Sequence, residues 1–243
     1  IGKDAGGGTW SNNAASHYNV GVGNYTMDAV MNGALGNVAT GHNALGAITS
    51  GDYNVGFGID AGLALTGGDR NVAIGASALQ GTSNDITGVV AVGHSAAGSG
   101  NLTTGANYSV AIGKESLGAL TSGAANTAVG YESGEAITTQ SSNTLIGFQS
   151  GKALTGGDNV FVGESAGMNA TSAGATVIVG RNAGTGVMTS TAGATTLVGV
   201  SAGAAITTGS GNTAIGAYAL DANQTSNFNT AVGYQALSAE TAD

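Results

Sequence analysis

Few side chains in this 243-residue sequence could do chemistry, and their spacing limits what they could do together. Glu115 and Glu132 stand 17 residues apart. A carboxylate pair can cleave a glycosidic bond if a cleft raises the pKa of one member. Asp52 and Asp69 have the same 17-residue separation, and Asp158 occupies a similar turn. Neighbouring carboxylates could share a cation. Calcium needs six or more oxygen ligands, however, and Gly67-Gly68-Asp69 matches only part of the calcium-binding nonapeptide. The histidines are three: His17, His42 and His94. There is no Cys, so neither a disulfide nor a thiolate metal site can form. No Gly-Lys-Ser/Thr segment occurs, and the glycines do not read as phosphate loops. These residues predict no catalytic group, no cofactor, no metal site, and a chain that is not an enzyme.

The recurring 17 is itself the main signal. A β-branched–small–apolar–glycine signature returns along the chain, as in Val72-Ala73-Ile74-Gly75, Val110-Ala111-Ile112-Gly113 and Thr213-Ala214-Ile215-Gly216. Its closing glycines are Gly2, Gly23, Gly41, Gly58, Gly75, Gly93, Gly113, Gly130, Gly147, Gly163, Gly180, Gly199, Gly216 and Gly233. We call these the anchors. Each full repeat has Val or Thr three residues before its anchor, and most have Asn one residue earlier. Such a run reads as a short strand. Asn tolerates left-handed backbone and could form an amide ladder between stacked coils. After the anchor come Ala or Ser and then segments such as Ala64-Leu65-Thr66 and Ala136-Ile137-Thr138, which read as a second, looser strand.

A unit this small cannot bury its own apolar face and must stack on its neighbours. The expected fold is all-β: a parallel β-solenoid, or β-roll, of 13–14 coils, each with about 17 residues and two short strands. Coils about 4.8 Å apart put His42 and His94 roughly 15 Å from each other, too far to share a metal. Residues 1–18, with Trp10 and Gly6-Gly7-Gly8, break the pattern and are expected to be a cap or junction. The solenoid is expected over 19–237, with 238–243 as a truncated or processed boundary.

Composition narrows the partners. Proline is absent, as suits a continuous ladder in which every coil donates. A net charge of −9 with five Lys and Arg excludes the basic patch that nucleic acid requires. No apolar run is long enough to insert in a membrane as a helix. Charged residues make up only 8% of the chain, so much of the surface is neutral or covered by a partner. The signature is apolar at alternate positions on both sides, and at Leu145, Phe161, Ile178 and Leu197 even the small position is bulky. Strands apolar on both faces are buried on both. One face can fill the coil, and the other is expected to meet further copies in closed symmetry as a homotrimer.

The Asn-Val-Ala-Ile-Gly motif, present at 71–75, resembles the head repeat of YadA-type trimeric autotransporter adhesins. The version Asn229-Thr230-Ala231-Val232-Gly233-Tyr234-Gln235-Ala236-Leu237 is similar to repeats in phage tail fibres. The resemblance covers essentially residues 19–237 and implies a trimeric parallel β-roll in an extracellular, cell-surface or virion fibre. YadA-type heads have a shorter repeat, so wider coils or longer loops are expected here. The expected function is a structural shaft or adhesin segment presenting variable residues to a cell-surface glycan or protein. The residue after the anchor varies most, and its aromatics Tyr131, Phe148 and Tyr234 are the candidate ligand surface. A head-to-tail extracellular filament is the alternative. An ice-binding rod using Thr49, Thr66, Thr121, Thr138, Thr155 and Thr207, and a glycan-degrading enzyme, are weaker ones.

Overall fold

The computed structural model describes residues 1–7, 16–81, 85–98, 100–189 and 193–238. Trp10 and Gly8 of the expected N-terminal cap, and 239–243 of the expected C-terminal boundary, lie outside them. The chain divides into two compact units, Ile1–Ala125 and Asn126–Asp243.

The first unit holds strands β1 (Val20–Val22), β2 (Val38–Thr40), β3 (Val55–Phe57), β4 (Val72–Ile74), β5 (Val90–Val92) and β6 (Val110–Ile112), with a 3₁₀ turn at Thr104–Ala106. The second holds β7 (Thr127–Val129), β8 (Thr144–Ile146), β9 (Val160–Val162), β10 (Val177–Val179), β11 (Thr196–Val198), β12 (Thr213–Ile215) and β13 (Thr230–Val232). Within each unit every strand lies parallel to the next. Signature pairs with signature without slip: Val55 faces Val72, Gly56 faces Ala73 and Phe57 faces Ile74. Each unit is a parallel β-solenoid with coils of about 17 residues, and the turns number about 12 in all, against the 13–14 expected from the anchors. The difference begins at the first anchor. Ile1-Gly2 bonds to the next coil, the Gly23 N–H donating to the Ile1 carbonyl, but forms no strand.

The small middle residue of each strand points inward and the β-branched pair flanking it points outward. Ala39, Ala73, Ala111 and Ala214 are buried, whereas Val38, Ile74, Ile112 and Ile215 are exposed. Leu145, Phe161, Ile178 and Leu197 occupy the same inward column and are fully buried.

Among the described residues the second strand per coil does not form, although Leu65 makes an isolated bridge. The stretch after each anchor is a chain of turns, with left-handed backbone two and four residues on, as at Asn43 and Leu45 (φ 55 and 48). A strand needs extended φ at successive residues, and left-handed residues bend the chain back instead. A side chain in that conformation costs about 1 kcal/mol or more. At Leu45, Leu79, Leu117 and Leu220 the cost is offset, because each leucine is thereby aimed into the core and fully buried. The anchor itself must be glycine. Gly58 has φ +139, and a Cβ there would stand 2.7 Å from the Gly75 carbonyl of the next coil.

The Asn column forms the amide ladder. Asn54 donates from its backbone N–H and its Nδ2 to Oδ1 of Asn37, at 2.9 and 3.0 Å, and from Nδ2 to the Gly68 carbonyl at 2.6 Å. Asn71 repeats the pattern on Asn54. These amides are buried, and every polar atom has a partner, as burial requires.

Candidate ligand surface

The residues after the anchors lie on exposed turns where the chain leaves each strand. The structure brings two of the three expected aromatics together. Tyr131 and Phe148 follow successive anchors, and their rings stack with centroids 5.2 Å apart and planes 15° from parallel. Phe148 remains 50% exposed. Tyr234 stands elsewhere in the second unit, 70% exposed, with its ring edge-on to Tyr218 at 6.1 Å. The expected surface is therefore a stacked pair and a separate T-shaped pair.

Beside the stacked pair lies an ionic cluster. Glu132 is buried and in left-handed conformation (φ 52). Its Oε2 accepts from Lys152 Nζ at 2.6 Å and from Gln149 Nε2 at 2.8 Å, and Tyr131 also hydrogen-bonds its carboxylate. The hydrogen bond from Lys152, followed by those of Tyr131 and Gln149, lowers the Glu132 pKa to about 2, against a smaller upward push from burial. Lys152 reaches Glu135 as well, at 3.5 Å, and its pKa is raised, chiefly by the Glu132 hydrogen bond. A carboxyl held so low is ionised at neutral pH. That is the opposite of what a glycosidase requires of its proton donor. Glu115 is placed differently, in an exposed ion pair with Lys114 at 3.2 Å.

Asp52 and Asp69 have a backbone role. The Asp52 Oδ1 accepts the Leu35 N–H at 2.8 Å, and the Asp69 Oδ1 accepts the Asp52 N–H at 2.9 Å. Asn107 and Asn227 do the same for Thr87 and Ser210. The column ties successive coils together. His42 packs edge-on against Tyr25 at 5.5 Å, and His17 lies 5.9 Å from the Tyr18 ring. Among the described residues no three His, Asp or Glu side chains gather as a metal site. Several of the recurring threonines donate their hydroxyls to the next coil: Thr49 to the Thr66 carbonyl at 3.2 Å, Thr155 to Thr171 at 2.6 Å and Thr207 to Gln224 at 3.1 Å.

Sequence reasoning missed a second aromatic column. Tyr18, Tyr53, Tyr108 and Phe228 each stand five residues before an anchor, in left-handed conformation, and are strongly exposed. Three of them cover a glycine in the preceding coil. A Cβ on Gly36 would lie 2.7 Å from the Tyr53 ring, one on Gly88 2.9 Å from Tyr108, and one on Gly211 2.7 Å from Phe228. The readable signal was Gly in one coil followed by an aromatic at the same position of the next.

Comparisons with protein-family models, with curated proteins and with solved structures gave no match to this chain. Among the described residues no helix is long and apolar enough to cross a membrane.

Proposed function

We propose that this chain is a structural segment of an extracellular or viral fibre, a trimer joined through the outward face of its strands, which serves surface attachment. The observation that carries this reading is the exposed apolar sheet face. In the first unit Val20, Val38, Phe57, Ile74 and Ile112 stand on it, and in the second Ile146, Val160, Val177, Ile215 and Val232. Monomeric proteins rarely leave a contiguous apolar surface of this kind to water. The ladder beneath holds these side chains in fixed register, which suits a repeating contact between copies. The depressed pKa of Glu132 weighs against its acting as the proton donor of a glycan-cleaving pair. The threonine hydroxyls donated within the stack weigh against an ice-binding face.

Light scattering on the purified chain tests the proposal. The expected mass is three times the 23.1 kDa of one chain. A single 23.1 kDa species at every concentration overturns it.

A further inference from the structure

The first unit carries a groove of about 410 Å³ that none of the expected sites includes. It lies on the turns, away from the strand face assigned to self-association. In the column five residues after the anchor, Gly46 stands between Asp28 and Leu63, and all three line the groove. Ala47 and Ala64 extend the apolar floor, and Tyr25 and Asn43 complete the lining. The volume falls in the range of about 300–1,000 Å³ usual for small-molecule sites.

The polar groups are few and of a definite kind. The Asp28 carboxylate has no hydrogen bond among the described residues. Asn43 donates from Nδ2 to Asp60 Oδ1 at 3.1 Å, leaving its second N–H and its Oδ1 without a partner among the described residues. The Tyr25 ring is held by the edge of His42 at 5.5 Å, and the Lys3 ammonium lies 5.6 Å from its centroid. An anion would be repelled by Asp28 and Asp60. A cation gains less from Tyr25, because Lys3 already occupies the ring's field. What remains is a neutral ligand with an apolar face and several hydroxyls.

We propose that this groove binds a neutral hexopyranose of a glycan. The C–H face of the sugar lies on Ala47 and Leu63, with Tyr25 at the edge of the groove. Its hydroxyls donate to the Asp28 carboxylate and the Asn43 Oδ1 and accept from Asn43 Nδ2. The inference names the ligand class for the attachment reading and rests on it for its biological purpose alone. Sugar binding in solution requires neither a cell nor a particular oligomer.

The test is calorimetric titration of the full chain with the methyl glycosides of glucose, galactose, mannose and N-acetylglucosamine. At least one should bind. Asp28→Asn, which preserves shape, and Ala47→Trp, which fills the groove, should each weaken it tenfold or more. Glu164→Gln in the second unit should leave it unchanged. Circular dichroism and thermal melting confirm that each variant is folded. The proposal is overturned if no glycoside binds, if both groove variants bind as the parent does, or if only tetramethylammonium binds in an Asp28-dependent way. Light scattering on the same samples reports the oligomeric state, so failure of the groove and failure of the fibre reading are separable.

Discussion

Phe161 fills the space that Gly167 leaves empty: a Cβ on Gly167 would stand 2.5 Å from the Phe161 ring. The same relation joins Leu145 to Gly151, Ile178 to Gly184 and Leu197 to Gly203. In other coils the volumes are exchanged. Ala39, Ala73, Ala111 and Ala214 occupy the strand position, and Leu45, Leu79, Leu117 and Leu220 the turn position. These eight coils thus each take one large inward side chain from one of two places, whereas Gly56/Gly62, Ala91/Ala97 and Ala128/Gly134 are small at both. Interiors close-packed to this degree penalise both a void and an excess.

The exchange predicts a rescue. Phe161→Ala should lower stability by about 3–5 kcal/mol. Gly167→Leu should lower it by about 1–3 kcal/mol through overpacking. Leucine is at home in this backbone conformation, since Leu45 and Leu220 adopt it (φ 48 and 54). The double variant rebuilds the arrangement of the other coils and should recover much of the combined loss. Urea denaturation of all four proteins measures the coupling, and strictly additive losses would count against the exchange.

This relation also shows how far the sequence could be read. The strand was legible because Val and Ile alternate with Ala beside a glycine, a pattern that survives without knowledge of neighbours. The inward bulk of Phe161 was visible, but its partner Gly167 was not. The two meet only because the intervening turn reverses the chain. Ala64-Leu65-Thr66 looked like strand because its composition is apolar, whereas its conformation is set by left-handed residues such as Asp60 and by Gly62. Tyr53 and Gly36 belong to different coils, so their contact emerges only once register is known. The stacking of Tyr131 on Phe148 follows from the period, but the Glu132–Lys152 ion pair beside it needed the geometry of the turns.

The amide ladder predicts a graded response at Asn54. Asn54→Ala removes the acceptor of the Asn71 N–H and Nδ2 and one donor to the Gly68 carbonyl. Each buried group left without a partner should cost about 1–3 kcal/mol. Asn54→Thr should cost less, because Thr176 already holds this column and accepts its place on Asn159, its N–H donating to the Asn159 Oδ1 at 3.1 Å. Thermal melting ranks the two variants, and a threonine variant weaker than the alanine one would contradict the ladder.

The Glu132 cluster predicts a pH dependence. The folded carboxyl titrates at about 2, below its ordinary value of 4.5. Its contribution is therefore present above pH 4.5 and is lost as pH falls from there toward 2. Lys152 acts in the other direction, since its raised pKa keeps its contribution until high pH removes the proton. Glu132→Gln should melt below the parent at pH 7, and the gap should close as the pH falls toward 2. A gap independent of pH would mean that shape, not charge, holds this cluster.

The outward sheet face predicts monomers on command. Ile146 and Val177 are 40% and 37% exposed, so Ile146→Lys and Val177→Lys remove little packing within one chain. Surface changes of this kind usually alter stability by about 0.5 kcal/mol or less. Between copies, however, each lysine would have to leave water for an apolar contact, which costs several kcal/mol unless it finds a partner. The double variant should therefore fold with an unchanged circular dichroism spectrum but scatter light as one 23.1 kDa chain. Glu164→Lys, on the turn rather than on the strand face, should keep the parent's mass. If the double variant unfolds instead, these side chains support the coil itself. If it keeps the parent's oligomeric mass, the copies meet through another surface.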